Sequence, residues 1–221
     1  MNQRTDALKN NPLVRKGYHH GSLRAALIEA AEALIEERGL EGFSLRETAR
    51  RAGVSPAAPA HHFRDARGLL TAVAAAAFRR FGAALEAADH SADLKQRLKA
   101  QATAYLRFAL AERAKFNLMW RIDLIDRAAP EYSAAVRSAT EVLIRARRDN
   151  IPLVGSDDPF RDVDTRVARL KDPVLTPAVA VWTLVHGFST LAIDGVFGKE
   201  EGPAEQRPEA LLSTLLDQLI I

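Results

Sequence analysis

Residues 44–63 read Ser44-Leu45-Arg46-Glu47-Thr48-Ala49-Arg50-Arg51-Ala52-Gly53-Val54-Ser55-Pro56-Ala57-Ala58-Pro59-Ala60-His61-His62-Phe63. Ser44 followed three residues later by Glu47 is a capping box, so a short helix is predicted to run from here to about Ala52. Gly53 supplies the backbone angles of a tight turn. Ser55 is then the expected cap of a second short helix, with Pro56 in its first turn and its end near Phe63-Arg64. Leu45, Ala49, Val54 and Phe63 are the apolar positions that pin the pair onto a neighbour. This is the pattern of a helix-turn-helix, whose second helix presents its N-terminal side chains to a DNA major groove. A plain helical hairpin inside a bundle has the same outline, so the pattern alone leaves both readings open.

On either side, helical spacing dominates. Ser22 is a candidate cap for a helix to about Arg38, with Leu23, Ala26, Leu27, Ala30, Ala31, Leu34 and Ile35 on one face and Gly39 as its stop. Before it, residues 1–21 read as a flexible basic arm carrying Arg4, Lys9, Arg15 and Lys16. After the pair, Asp65 caps a long helix over about 66–88. Further helices are predicted at roughly 93–112, 114–127, 130–149, 177–197 and 208–221, with Pro130, Pro177 and Pro208 at helix starts. Residues 151–176 read as a long loop with one turn of helix at about 165–170. No convincing strand or repeat interrupts this, so the expected fold is all-α: a three-helix head at 22–65 and a larger helical body at 66–221.

The chain has 221 residues, 31 of them basic and 28 acidic, for a net charge of +3. Residues 1–70 hold 11 of the basic and 8 of the acidic residues, so the whole excess sits in the first third, a weak pointer to a polyanionic partner. There is no cysteine, which removes disulfides, thiol catalysis and zinc ribbons. His19-His20 and His61-His62 are adjacent pairs and diverge by about 100° on a helix, so no metal site is expected. No phosphate loop, nucleophile elbow or paired catalytic carboxylates appear, and neither an enzyme nor a bound cofactor is expected. With no secretory signal and no apolar run near the roughly 18 residues of a membrane span, the expectation is a cytoplasmic protein that does not engage a membrane.

The first seventy residues resemble the DNA-binding head of the TetR family of bacterial transcriptional regulators. The matching stretches are Leu27-Ile28-Glu29-Ala30-Ala31, Gly39 to Glu47, Ala49 to Ser55, and His61-His62-Phe63 leading to Leu69-Leu70. The segment Trp182 to Gly187 resembles the Trp…His-Gly signature of one C-terminal subgroup. This chain departs from the family's pattern at Ala60, where tyrosine is usual, and at Ala66, where lysine is frequent; Arg64 and Arg67 flank the second position.

The resemblance implies a homodimeric repressor on a double-stranded operator, released by a small apolar or amphipathic effector. A DNA-binding protein without a sensor is the alternative. Side-chain chemistry nominates Ser44, Arg46, Ser55, Ala57, Ala58, His61, His62, Arg64 and Arg67 for DNA: hydroxyls and cations for phosphate, alanines for a thymine methyl, and one histidine outward with the other inward. Tyr105, Phe108, Phe116, Met119, Trp120, Trp182 and His186 are the candidate effector site, although each residue singly also suits a core. Thr183, Gly187, Thr190 and Asp194 form a small-residue face, and Leu212, Leu215, Leu216 and Leu219 an apolar stripe, for a dimer interface.

Overall fold

The computed structural model describes residues 20–88, 90–91, 93–145, 175–198 and 203–219. Among these residues nine α-helices and one turn of 3-10 helix (Ala204–Gln206) make up an all-helical fold. The helices are α1 (His20–Arg38), α2 (Leu45–Arg51), α3 (Ala58–Phe63), α4 (Ala66–Ala87), α5 (Leu94–Ala111), α6 (Arg113–Met119), α7 (Pro130–Arg145), α8 (Leu175–Ile193) and α9 (Pro208–Leu219). The arm up to residue 19 and the loop expected at 151–176, apart from its last two residues, lie outside the described residues.

The centre of the molecule is α4. Its sequence is rich in alanine, leucine and phenylalanine, and Leu69, Val73, Ala74, Ala75, Ala77 and Leu85 are completely buried. The helix is long and apolar enough to satisfy the length and composition of a membrane span, contrary to the sequence expectation. Its apolar surface is instead covered by α7, α6, α5, α1 and α3. Small residues set the closest crossing: a Cβ on Gly82 would stand 3.3 Å from the Ala139 Cα of α7. Phe78 and Phe81 fill the wider spaces, meeting Tyr132, Trp120 and Tyr105 edge to face. That geometry suits the quadrupoles of the rings.

Several expected boundaries shift, each for a local reason. Helix α1 begins at His20, so Ser22 lies inside it and does not cap it. Helix α8 begins at Leu175, which puts Pro177 within its first turn, where proline is tolerated. The helix expected over 114–127 stops at Met119, and residues 120–129 form turns. Those turns are tied elsewhere: the Tyr132 hydroxyl donates to the Met119 carbonyl at 3.1 Å, and the Asp126 N–H to Thr71 Oγ1 at 2.9 Å. Ile125, fully buried, anchors the segment against the core. Tertiary bonds replace the intrahelical ones that a continuing helix would have made. In contrast, Asp65 caps α4 as expected, its Oδ1 accepting from Gly68 N–H at 2.8 Å.

Candidate functional site

The head is α1, α2 and α3. Leu27, Leu34 and Ile35 of α1 are completely buried, and Ala49 and Phe63 are nearly so. Each large side chain so buried contributes about 1.5–3 kcal/mol. The turn between α2 and α3 follows the glycine expectation: Gly53 has φ +68°, and Val54 N–H donates to the Ala49 carbonyl at 3.0 Å.

The capping box is not formed. Ser44 occupies the N-cap position with extended backbone, but its hydroxyl makes no cap bond; its carbonyl instead accepts from the Thr48 hydroxyl at 2.9 Å. Glu47 is drawn away by arginines: two bonds of 2.8 Å from Arg50 and one of 3.4 Å from Arg51. These partners, Arg50 foremost, hold its carboxyl down at about 2. Glu37 is likewise held below the usual carboxylate range by Arg51 first and Arg38 second. The head's charge is therefore largely self-neutralised on α2, and Arg46 is the exception. It is exposed and has no partner among the described residues.

The second helix begins two residues later than expected. Ser55 does not cap it; the Ser55 carbonyl closes a turn by accepting from Ala58 N–H, and Ala57 holds the N-cap position without a side-chain bond. Proline explains the shift, since Pro56 precedes the helix and Pro59 sits in its first turn, where its missing N–H costs nothing. Ser44, Ser55, Ala57, His61 and Arg64 are exposed, and Ala58 and His62 are half-buried. The His62 ring lies tilted against that of Phe63, with 6.2 Å between centroids. Arg64 has φ +70°, a left-handed conformation uncommon for any residue but glycine, and it turns the chain sharply into α4. Arg67 has a different task from its neighbour: its guanidinium donates to the Ile125 carbonyl at 2.6 Å, tying the start of α4 to the turns after α6.

The aromatic residues of the body do converge. Tyr105, Phe116 and Met119 are almost completely buried and Phe108 is 7% exposed, whereas Trp120, Trp182 and His186 are half-buried. His186 stacks on Trp182 at 5.4 Å and meets Trp120 at 4.8 Å and Phe116 at 5.5 Å. The Tyr105 hydroxyl and His186 Nδ1 are 2.8 Å apart, and the Trp182 side chain bonds the same hydroxyl. Burial raises the Tyr105 phenol far above its ordinary range and lowers His186, keeping both neutral. Beside this cluster lies a cavity of about 30 Å³ lined by Leu98, Gln101, Ala102, Tyr105, Leu143, Val181, Trp182 and Val185. Gln101, missed by the sequence reading, is 2% exposed and makes one long bond, 3.4 Å from its Nε2 to the Val142 carbonyl. A buried glutamine between apolar helices is a signal the sequence does carry, though only once α5 is known to face inward.

On the outer face of α8, Thr183, Gly187, Thr190 and Asp194 are all exposed, together with Leu191 at 44%. The stripe on α9 divides. Leu215 is exposed beside Leu211, but Leu212 and Leu216 are buried in the chain's own core, because neighbours on a helix diverge by about 100°. The Leu219 side chain lies outside the described residues.

A glycine-turned helix pair on a third helix, an unpaired arginine on its open side and a separate helical body define a helix-turn-helix transcriptional regulator. The match to known families is specific. Residues 27–73 match the model of bacterial regulatory proteins of the tetR family, and residues 98–219 that of the tetracyclin repressor-like C-terminal domain. The chain belongs to the TetR family, whose regulators bind DNA and are not enzymes.

Over 63 residues the chain is 41% identical to the HTH-type transcriptional regulator BetI of Yersinia pestis, covering 28% of this chain and 32% of that protein. The chain thus spans about a third of the length of the curated relatives it matches. A protein of unknown function from Rhodococcus sp. RHA1 shares 32% identity and superposes with a TM-score of 0.68 over 92% of this chain and 96% of its own. PfmR, a TetR family transcriptional regulator from Thermus thermophilus, shares the fold at 21% identity, with a TM-score of 0.57 over 87% of this chain and 96% of its own.

Proposed function

We propose that this regulator is a homodimeric repressor released from its operator by a small, largely apolar effector. The observation that carries the reading is the continuity from the aromatic cluster to the head. Trp120 belongs to the cluster and begins the 120–129 turns, and those turns bond to Arg67 and Thr71 in the first turns of α4. Glu131, at the start of α7, adds a second tie by pairing with Arg24, whose guanidinium lies 5.2 Å over the Phe63 ring of α3.

The cavity of about 30 Å³ is far below the roughly 300–1,000 Å³ of a typical ligand site, so in this reading the effector binds a more open body than this one. A ligand that prefers a different conformation is what a release mechanism needs, because equal affinity for both states would shift nothing. In this reading Arg46, His61 and Arg64 face phosphate or bases, with Ser44, Ser55, Ala57 and Ala58 around them; His62 and Arg67 support the head. The exposed face of α8 with Leu211 and Leu215 of α9 is the dimer contact, which small side chains allow to approach closely.

Two heads would meet half-sites about 34–36 Å apart, or a multiple of that. Footprinting on the DNA flanking the regulator's own gene, with sedimentation of the complex, tests this. One protected site per dimer with two half-sites is expected. A monomer on a single half-site would refute the dimer, and effector affinity unaltered by operator would refute release, since coupling of about 5–150-fold must be reciprocal.

A further inference from the structure

The hydrogen bonds inside the aromatic cluster do not close. Tyr105 accepts from the Trp182 side chain, which leaves its own proton for His186 Nδ1. With His186 neutral, its remaining proton then resides on Nε2 of a half-buried ring, and no bond to Nε2 occurs among the described residues. The neighbouring indole is more deeply placed: Trp120 Nε1 is buried and has no acceptor among the described residues. The rings bearing these two N–H groups are 4.8 Å apart between centroids. One helical turn further along α8, the hydroxyl of Ser189, a residue completely shielded from solvent, also lacks a partner. Native interiors seldom leave such groups unmet, and a cluster of them calls for an explanation. What is missing here is an acceptor. The described residues that line the cavity beside the cluster include no charged side chain; Gln101, Tyr105 and Trp182 are its polar members, and the Trp120 and His186 rings both contact Trp182.

We propose that the effector is an uncharged molecule with an apolar body and a hydrogen-bond acceptor oxygen, of the ketone or ester kind, that Trp120 Nε1–H and His186 Nε2–H receive together. This inference rests on the cluster being the effector site. A carboxylate suits the donors but would enter an apolar site without a cation, and its desolvation would not be repaid. An ammonium would meet two N–H donors and no carboxylate. A pure hydrocarbon would leave the donors as they are. An uncharged acceptor oxygen satisfies the donors at no cost in buried charge, and a carbonyl, with two lone pairs and no donor of its own, fits two converging N–H groups.

The test uses the full chain and three ring-matched probes: acetophenone, ethylbenzene and benzoate. Trp120 and Trp182 are the only tryptophans in the chain, and both belong to the cluster, so intrinsic fluorescence reports the site directly. Calorimetry supplies affinities free of optical interference. Acetophenone is expected to bind about tenfold tighter than ethylbenzene, the worth of a gained hydrogen bond, and benzoate weaker than both. Trp120→Phe keeps a ring and removes one of the two N–H donors, so it should take away most of the acetophenone advantage while leaving ethylbenzene unchanged. Trp182→Phe should retain most of the discrimination.

Equal binding of acetophenone and ethylbenzene to the unaltered protein, or tightest binding of benzoate, would overturn the acceptor proposal and leave the site intact as an effector pocket. Saturating concentrations of all three without any binding would overturn the effector site itself, and this proposal with it.

Discussion

Replacing Arg46 with alanine tests the reading of the head most directly, because its neighbours provide an internal comparison. Helix α2 carries three arginines, of which Arg46 and Arg50 are exposed and Arg51 half-buried. Arg50 makes two 2.8 Å bonds to Glu47, and Arg51 pairs with both Glu37 and Glu47, so each brings a carboxylate with it. Arg46 is unpaired among the described residues and delivers a full positive charge. Each phosphate neutralised on duplex DNA contributes about 0.9 to the slope of log affinity against log salt, so losing one contact in each of two heads lowers the slope by about 1.8. Arg50→Ala should change it by less than half as much, since the loss of one cation exposes the carboxylate it was compensating. The assay is anisotropy of a labelled operator between roughly 50 and 200 mM salt. Equal slopes for Arg46→Ala and the unaltered protein would show that α2 does not meet the backbone. Equal loss from both variants would show that the Glu47 pairings dissolve on DNA.

Acid should loosen the head through Glu47. Its carboxyl titrates near 2 when folded and near 4.3 when unfolded, so its pairing stabilises the head fully above about pH 4.3 and is lost as pH falls toward 2; Glu47→Gln should flatten the melting temperature across that window, and an undiminished decline would refute the assignment. On α9, Leu212→Ala should cost about 2–5 kcal/mol because the side chain is completely buried. Leu215→Glu, at a position 36% exposed, should leave the melting temperature nearly unchanged and shift sedimentation toward the monomer; a dimer surviving it would exclude this face. Gly68→Ala would place a Cβ 1.9 Å from the Phe63 carbonyl oxygen, so α3 must move off α4 at a cost of about 1–3 kcal/mol. Weakened operator binding with an unchanged oligomeric state is expected, and full DNA affinity would disprove the close approach.

The parts of this molecule legible in its sequence are those fixed by neighbours along the chain. Helix periodicity, the Asp65 cap and the Gly53 turn need only a few residues each, and the structure holds them as expected. The aromatic cluster was legible for a different reason: large rings at helical spacing have nowhere else to go in an all-helical chain. What was not legible depends on partners far away. The capping box at Ser44 looked sufficient, but Arg50 and Arg51 compete for Glu47 with a full charge each and win over a neutral backbone N–H. The end of α6 at Met119 is set by Thr71 and Arg67, which lie about fifty residues earlier, and no local signal marks it. The split of Leu212 from Leu215 needs the direction of α9 relative to α5, which a stripe of leucines does not encode.

Magnitudes decide which of the ties between body and head can transmit an effector signal. Release by a useful factor needs about 1–3 kcal/mol of coupling. The ion pairs bridging the two parts, Arg24 with Glu131 and Lys115 with Glu36, include side chains 38–50% exposed, and such pairs contribute about 0–1 kcal/mol each and less with salt. They bias the arrangement without enforcing it. The bond from Arg67 to the carbonyl of Ile125 differs in its acceptor: Arg67 is exposed, which draws the bond toward the low end of the about 1.5–3 kcal/mol of hydrogen bonds to charged groups, but Ile125 is completely buried, so losing this donor leaves a shielded carbonyl without its partner. Ile125 follows Trp120 by one short run of turns, so a rearrangement of the indole that shifts the run trades this bond for solvent. The start of α4 carries the donor, and Gly68 next to it rests against the backbone of Phe63 with no room for a methyl group. A packed contact of that kind transmits displacement and does not absorb it. In the proposed release mechanism, the bond between Arg67 and Ile125 is therefore the joint where the energy suffices, and the contact of Gly68 with Phe63 is where that displacement would become movement of the recognition helix.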